Sequence, residues 1–126
     1  MTGRLFLLDT NVVIGLAKGP GAARDLLDGS GALPTSSAFS QISRIELFSF
    51  PSLTDDEISR LEVFIRPFEV LMITDAVEQA ATMLRRQHKL KLPDAVIGAT
   101  ALVHGLTLLT LDARLRAAYE TAIASG

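Results

Sequence analysis

The chain has 126 residues, a net charge of −2 at pH 7, 48% hydrophobic residues and no cysteine. This length predicts a single domain over 1–126, and the lack of cysteine excludes disulfides and thiolate metal sites and fits a reducing cytoplasm. No run reaches the ~20 apolar residues of a membrane span, and the acidic balance excludes nucleic-acid binding by net charge alone, leaving a local basic patch or bound metal ions.

Strand-like apolar runs alternate with helix-like segments along the chain. The predicted strands are residues 4–8, 38–42, 70–73 and 106–111. The predicted helices are residues 11–17, 22–27, 43–50, a helix behind the capping box 54–57, a helix from 74–75, then 95–104 and 115–123. Helix 95–104 is apolar all round, which predicts a buried central helix. The alternation predicts an α/β fold with a parallel sheet and helices on both faces, in which ligands bind at the C-terminal ends of the strands.

Four acidic residues stand where strands end or within apolar helices. Asp9 follows the apolar run 5–8, and Asp112 follows the run 106–111. Asp94 opens the most apolar helix, and Glu46 is the one acid in an otherwise mostly apolar helix. Because an uncompensated carboxylate is costly to bury, a cluster of these acids requires a cation. Their all-oxygen chemistry favours Mg²⁺ or Mn²⁺.

Other interpretations of these residues stay open. An Asp at a helix start also serves as a cap and complements the helix dipole, and we assign Asp75, three residues before Glu78, to that role alone. His88 and His104 offer an acid–base pair for metal-free RNA cleavage. Their places in a basic stretch and beside Gly105 favour surface and structural roles instead.

Basic residues flank the acids in the sequence. The run 85–91 leads directly to Asp94, and Arg114 and Arg116 follow Asp112. Such cations guide a phosphate backbone or complement the C-terminal end of a helix, and the sequence favours neither interpretation. The candidate substrate-binding residues are Arg44, Arg86, Lys89, Lys91 and Arg114.

Four motifs in this chain resemble those of PIN domains, and most closely those of VapC-type toxins from bacterial toxin–antitoxin pairs. The motifs are LLDTN at 7–11, FSQISRIEL at 39–47, LPDAVIGATA at 92–101 and LLTLD at 108–112. They span nearly the whole chain. The resemblance implies a compact α/β/α sandwich around a parallel sheet, with Mg²⁺- or Mn²⁺-dependent endoribonuclease activity on RNA.

The resemblance also implies roles for individual residues and partners. It assigns catalysis and metal binding to Asp9, Glu46, Asp94 and Asp112, with polar support from Thr10, Asn11 and Thr110. A cognate antitoxin and homodimerisation are further implications. The chain departs from the family pattern at Leu111, where many relatives carry Arg or Asn before or at the fourth acid, and at Arg44, which replaces a more usual apolar or aromatic residue.

Two alternative functions remain. A receiver-like signalling domain also clusters acids around Mg²⁺, but it needs a phosphoacceptor Asp after a middle strand and a Lys after a late strand. Asp75 is a poor candidate for the first, and 110–112 offers no Lys for the second. A non-catalytic PIN-like interaction module would keep the fold and bind only its partner, although the presence of all four acids argues against it.

Overall fold

The computed structural model describes residues 2–125, which contain a four-stranded, fully parallel sheet. The strands are β1 (Phe6–Leu8), β2 (Ser37–Ser40), β3 (Glu69–Leu71) and β4 (Thr107–Leu109), in the spatial order β3-β2-β1-β4. In the register, Leu7 of β1 lies opposite Ala38 on one side and Leu108 on the other. The two central strands, β1 and β2, therefore end at the same edge of the sheet.

Seven α-helices connect and cover the strands within the described range. They are α1 (Thr10–Lys18), α2 (Ala22–Ser30), α3 (Gln41–Phe48), α4 (Asp55–Ile65), α5 (Asp75–His88), α6 (Leu92–His104) and α7 (Ala113–Ser125), and a 3₁₀ turn, Pro34–Ser36, precedes β2. The predicted capping box is confirmed, because Thr54 and Glu57 exchange side-chain to backbone hydrogen bonds at the start of α4. None of the helices in 2–125 has the length and apolarity needed to cross a bilayer.

The sheet separates two apolar cores. Leu7 points into the core beneath α5, α6 and α7, and Leu8 points into the core beneath α1 and α2, because successive strand residues face opposite sides. The predicted burial of the central helix is confirmed: residues 95–101 of α6 are all buried. The predicted α/β/α arrangement is therefore correct.

Several predicted boundaries are wrong. The predicted strand 38–42 ends at Ser40, because the Ser40 side chain accepts from the backbone N of Ile42 at 3.2 Å and starts α3 there. The predicted strand 70–73 ends at Leu71, and the backbone N of Ile73 donates to the side chain of Gln41 at 3.1 Å instead of to a strand. The predicted strands 4–8 and 106–111 shorten to three residues each, and Leu111 is 45% exposed.

Helix ends shift for the same local reasons. Helix α6 begins at Leu92 instead of residue 95, because Pro93 suits the first turn and places Asp94 within that turn. Helix α3 ends at Phe48, so Phe50 lies beyond it and is 50% exposed. The predicted helix 43–50 is thus displaced by two residues toward the N-terminus.

Candidate functional site

Asp9 occupies the point where β1 becomes α1. It is 4% exposed, and its Oδ1 accepts from the backbone N of Thr10 at 2.7 Å. Its Oδ2 accepts from the hydroxyl of Thr110 at 2.7 Å. Its backbone N donates to the carbonyl of Leu109 at 3.0 Å, which ties the ends of β1 and β4 together. Asp9 is therefore a helix cap and, at the same time, a buried carboxylate at the C-terminal edge of the sheet.

Glu46 reaches the same edge from α3. Its Oε1 lies 2.6 Å from the hydroxyl of Thr10, and that hydroxyl lies 2.8 Å from Oγ of Ser43. Thr10 and Ser43 are both buried, whereas Glu46 is half-buried. Since the backbone of Thr10 binds Asp9 and its side chain binds Glu46, one residue links the first two predicted acids.

Asp112 follows β4 and caps α7. Its Oδ1 accepts from the backbone N of Arg114 at 2.9 Å and of Leu115 at 3.2 Å. Its own backbone N donates to the hydroxyl of Thr110 at 3.0 Å, so Thr110 contacts Asp9 and Asp112 together. The capping interpretation is therefore correct for Asp9 and Asp112. Because each carboxylate has about four acceptor positions, capping leaves lone pairs for a cation.

The pKa values show that the acids act on one another. Burial raises the pKa of Asp9, hydrogen bonds from Thr110 and Thr10 oppose that rise, and the charges of Asp94 and Asp112 add to it. Burial also raises the pKa of Asp94, as do the charges of Asp112 and Glu46, while Lys91 and Arg114 oppose the rise. All four predicted acids therefore belong to one electrostatic cluster, which we call the acid cluster: Asp9, Glu46, Asp94 and Asp112.

The acid cluster has no cationic side chain paired with it. Within residues 2–125, the ion pairs are Arg4 with Glu69 and Arg60 with Asp56, and neither pair includes an acid of the cluster. Lys91 and Arg114 influence Asp94 without forming an ion pair with it. The negative charge of the acid cluster is consequently left for a cation from outside the chain.

The donor set of the acid cluster fits a hard divalent cation. Mg²⁺ typically keeps several waters and takes only one or two protein carboxylates, along with phosphate oxygens from a substrate. In the described part of the chain, no three His, Asp or Glu side chains converge closely enough to coordinate one ion together. An ion held by two carboxylates and completed by water is compatible with that spacing. The chemistry of these residues therefore matches Mg²⁺ or Mn²⁺, with water-mediated contacts to the remaining acids.

The predicted basic residues separate into two groups. Lys89 and Lys91 are exposed in the loop before Asp94, and the guanidinium of Arg114 donates to the carbonyls of His88 and Lys89 at 3.5 and 3.3 Å. Of these residues, Lys91 and Arg114 lie close enough to Asp94 to oppose the rise in its pKa. The other two predicted residues line different clefts: Arg44 lies with Phe48 and Glu62, and Arg86 lies with Glu78 and Leu92. Asn11 is exposed.

One expectation, for Asp75, is wrong, and one alternative that the sequence disfavoured, the pair of His88 and His104, is excluded. The cap of α5 is Thr74, whose hydroxyl accepts from the backbone N of Val77 at 3.3 Å, so Asp75 is an exposed first-turn residue that complements the helix dipole without capping. His88 and His104 do not form a pair. His88 ends α5 near the start of α6, whereas His104 ends α6, roughly 18 Å away at 1.5 Å per residue.

Ser43 is a contact that sequence reasoning missed. It lies in the motif FSQISRIEL at 39–47, but the sequence alone assigned it no role. The available signal was spacing, because residues three apart on a helix share a face and Ser43 precedes Glu46 by three.

Comparison with known proteins identifies the family of the chain. The family model described as PIN domain matches residues 6–121. A toxin–antitoxin complex from Klebsiella pneumoniae contains a chain 32% identical to this one, with a TM-score of 0.73, 84% of this chain covered and 85% of that chain. FitAcB from Neisseria gonorrhoeae is 25% identical, with a TM-score of 0.75 and coverage of 92% and 94%.

One further structure extends the likeness of fold alone. VapBC2 from Rickettsia felis, bound to a DNA fragment from its promoter, is 19% identical, with a TM-score of 0.73 and coverage of 90% of this chain and 92% of that chain. No curated protein matches the sequence. The family match covers most of the chain and includes all four acids of the cluster, so the chain belongs to the PIN domain family.

Proposed function

We propose that this protein is a Mg²⁺- or Mn²⁺-dependent endoribonuclease that hydrolyses RNA phosphodiester bonds. The observation that carries the proposal is the acid cluster itself. Four carboxylates from β1, α3, α6 and the end of β4 influence one another, and no cationic side chain within residues 2–125 pairs with them. A protein gains nothing in stability from such an arrangement, so a cation-dependent activity explains it better than packing does.

The acids take different parts in the proposed reaction. Asp9 and Asp94, whose pKa values are raised by burial and by neighbouring charge, are the principal ligands, and Glu46 and Asp112 contribute through water. A bound divalent ion supplies a Lewis acid, which activates water and offsets the charge that develops on the phosphate. Hydrogen bonds from Thr10 and Thr110 hold the two oxygens of Asp9 in fixed directions.

The loop before Asp94 provides the proposed contact with RNA. Lys89 and Lys91 are exposed there, and their cations suit the phosphate oxygens of an RNA backbone. Arg114 lies beside this loop, but its guanidinium already donates hydrogen bonds to the backbone carbonyls of His88 and Lys89. We therefore assign phosphate binding first to the two lysines, and a loop-holding role to Arg114.

We further propose that the protein is the toxin of a toxin–antitoxin pair and forms a homodimer. The toxin role is supported by the 32% identity to a chain of the Klebsiella pneumoniae toxin–antitoxin complex, and the homodimer is what the resemblance to VapC-type toxins implies. An apolar cleft of about 470 Å³ between α1 and α4 offers a surface for a protein partner, with Ile14, Leu47, Phe50, Leu61 and Phe64 in its lining. Phe50 is 50% exposed there, which a partner would reduce.

The decisive experiment incubates the purified chain, freed of any partner, with total RNA and transfer RNA in Mg²⁺, Mn²⁺ or EDTA. We expect cutting that needs the metal and is lost in Asp9→Asn/Asp94→Asn. The matched control is Asp75→Asn, which removes an exposed acid outside the cluster and should leave cutting unchanged. Cutting that survives EDTA would contradict the proposal. A folded chain that binds Mn²⁺ and cuts no RNA would favour the non-catalytic interaction module.

A further inference from the structure

We infer that Ser43 is a positioning residue that fixes the carboxylate of Glu46 through the hydroxyl of Thr10; the inference rests on the proposed function. Ser43 is fully buried in the first turn of α3 and has no hydrogen bond to any acid of the cluster. Its Oγ lies 2.8 Å from Oγ1 of Thr10, which in turn lies 2.6 Å from Oε1 of Glu46.

Counting protons fixes the direction of this chain of hydrogen bonds. A carboxylate only accepts, and the hydroxyl of Thr10 has a single proton, so that proton goes to Glu46. The remaining contact of Thr10 must then be an accepted bond, and the hydroxyl of Ser43 is the donor. The relay therefore runs from Ser43 to Thr10 to Glu46, with every hydroxyl proton used.

Ser43 is free for this role because of its place in the helix. Other helical hydroxyls in this protein donate to the carbonyl four residues back: Thr100 to Val96, and Thr82 to Glu78. Four residues before Ser43 lies Phe39, which belongs to β2 and precedes the helix. With no helical carbonyl behind it, the hydroxyl of Ser43 turns across to α1 and meets Thr10.

The relay restricts a flexible carboxylate. Glu46 is half-buried, and the Thr10 hydroxyl is the protein group that holds its Oε1. Because Ser43 donates to that hydroxyl, it fixes the direction in which the hydroxyl proton points. Groups that orient a metal ligand from behind typically change metal affinity or activity by about 10–100-fold when removed. Ser43 therefore acts on the site without touching the ion or the RNA.

The test compares Ser43→Ala with Ser43→Thr and a matched control, Ser37→Ala. Ser37 is also a fully buried serine, at the other end of β2, and its hydroxyl donates to the carbonyl of Leu33 at 2.7 Å. For Ser43→Ala we expect the Kd for Mn²⁺, measured by calorimetry, to rise about tenfold, with a similar fall in kcat and little change in KM for RNA. Ser43→Thr keeps the hydroxyl and should return both values to near wild type.

Two results overturn the inference. One is Mn²⁺ affinity and kcat in Ser43→Ala equal to wild type, and the other is an equal loss in Ser37→Ala. If the wild-type chain binds Mn²⁺ but does not cut RNA, the proposed function is wrong. The effect of Ser43→Ala on Mn²⁺ affinity can still be measured by calorimetry, so the inference is still tested.

A second measurement needs neither metal nor RNA. Ser43→Ala and Glu46→Ala are combined, and the metal-free variants are unfolded in urea. We expect their effects on the unfolding equilibrium constant to be coupled by about threefold or more, because both changes interrupt one relay. If the double variant changes the unfolding equilibrium constant by the product of the two single effects, the two residues are not coupled. That result would contradict the relay even if the wild-type chain binds no metal.

Discussion

The hydroxyl of Thr110 donates to Oδ2 of Asp9 at 2.7 Å and accepts from the backbone N of Asp112 at 3.0 Å. Thr110 is fully buried just after β4, and Asp9 lies just after β1. Because β1 and β4 are adjacent strands of the sheet, Asp9 and Thr110 lie close together although they are 101 residues apart in the sequence. One small side chain thus fixes the spacing between two acids of the cluster.

Replacing Thr110 by Val should weaken both the fold and the site. Asp9 would lose one of its donors in a buried setting, which costs about 1–3 kcal/mol in the free energy of unfolding and raises the pKa of Asp9 further. Urea unfolding measures the first effect. The control is Thr100→Val, which is equally buried but bonds only to a carbonyl of its own helix, and which should cost less and leave RNA cutting unchanged.

Asp94→Asn should abolish cutting and yet stabilise the metal-free protein at neutral pH. The amide keeps the shape of the carboxylate, binds hard cations poorly, and removes the repulsion from Asp112 and Glu46 that helps raise the pKa of Asp94. Thermal unfolding in EDTA should give a higher Tm for the variant than for wild type. A lower Tm would show that the charge of Asp94 supports the fold, contrary to its raised pKa.

The same raised pKa values predict how stability depends on pH. Because the folded-state pKa of Asp9 and Asp94 lies above the ordinary value of 3.8, ionisation disfavours the folded state. The two carboxylates therefore lower the free energy of unfolding by their full amount above the folded-state pKa. This loss of stability disappears as the pH falls through the folded-state pKa toward 3.8. The Tm advantage of Asp94→Asn in EDTA should therefore shrink over that interval. An advantage that stays constant down to pH 4 would contradict the prediction.

A divalent metal ion should make the wild-type chain more stable than the variants that lack acids of the cluster. Mg²⁺ or Mn²⁺ binds the folded wild-type chain and raises its Tm by mass action, whereas Asp9→Asn/Asp94→Asn should show no such rise. The rise should weaken at acid pH, because protons compete for the same carboxylates. A thermal-shift titration with each ion, repeated with Ca²⁺ and with EDTA, measures this. Equal shifts in the wild type and the double variant would place the metal outside the acid cluster.

Two glycines offer a test of the packing that positions α1. A Cβ at Gly15 would lie 2.6 Å from Cβ of Ala23, so Gly15→Ala must push α1 away from α2 and should destabilise the protein. Gly29, within α2, has open space where a Cβ would lie, and Gly29→Ala should stabilise by about 0.5–1 kcal/mol. Urea unfolding of the two variants measures these effects separately, close packing at Gly15 and helix propensity at Gly29.

Sequence alone correctly predicts the alternation of elements and the buried central helix, and it identifies the four acids that lie in the acid cluster. Local chemistry explains this success. Apolar runs identify strands, Gly and Pro mark their ends, and a carboxylate such as Asp9 directly after a buried strand has few structural roles. It failed at helix starts, where a side chain decides the boundary: Ser40 begins α3 two residues early, and Thr74, instead of Asp75, caps α5.

Which residues contact one another depends on the tertiary structure. The strand order β3-β2-β1-β4 places Thr110 beside Asp9, and the packing of α3 against α1 places Ser43 against Thr10. Neither contact has a signal in local periodicity, since each joins residues from separate elements. The choice between cap and functional acid also needed the fold. Asp9 caps α1 and also lies in the acid cluster, because its helix-capping oxygen and its cross-sheet oxygen are different atoms of one carboxylate.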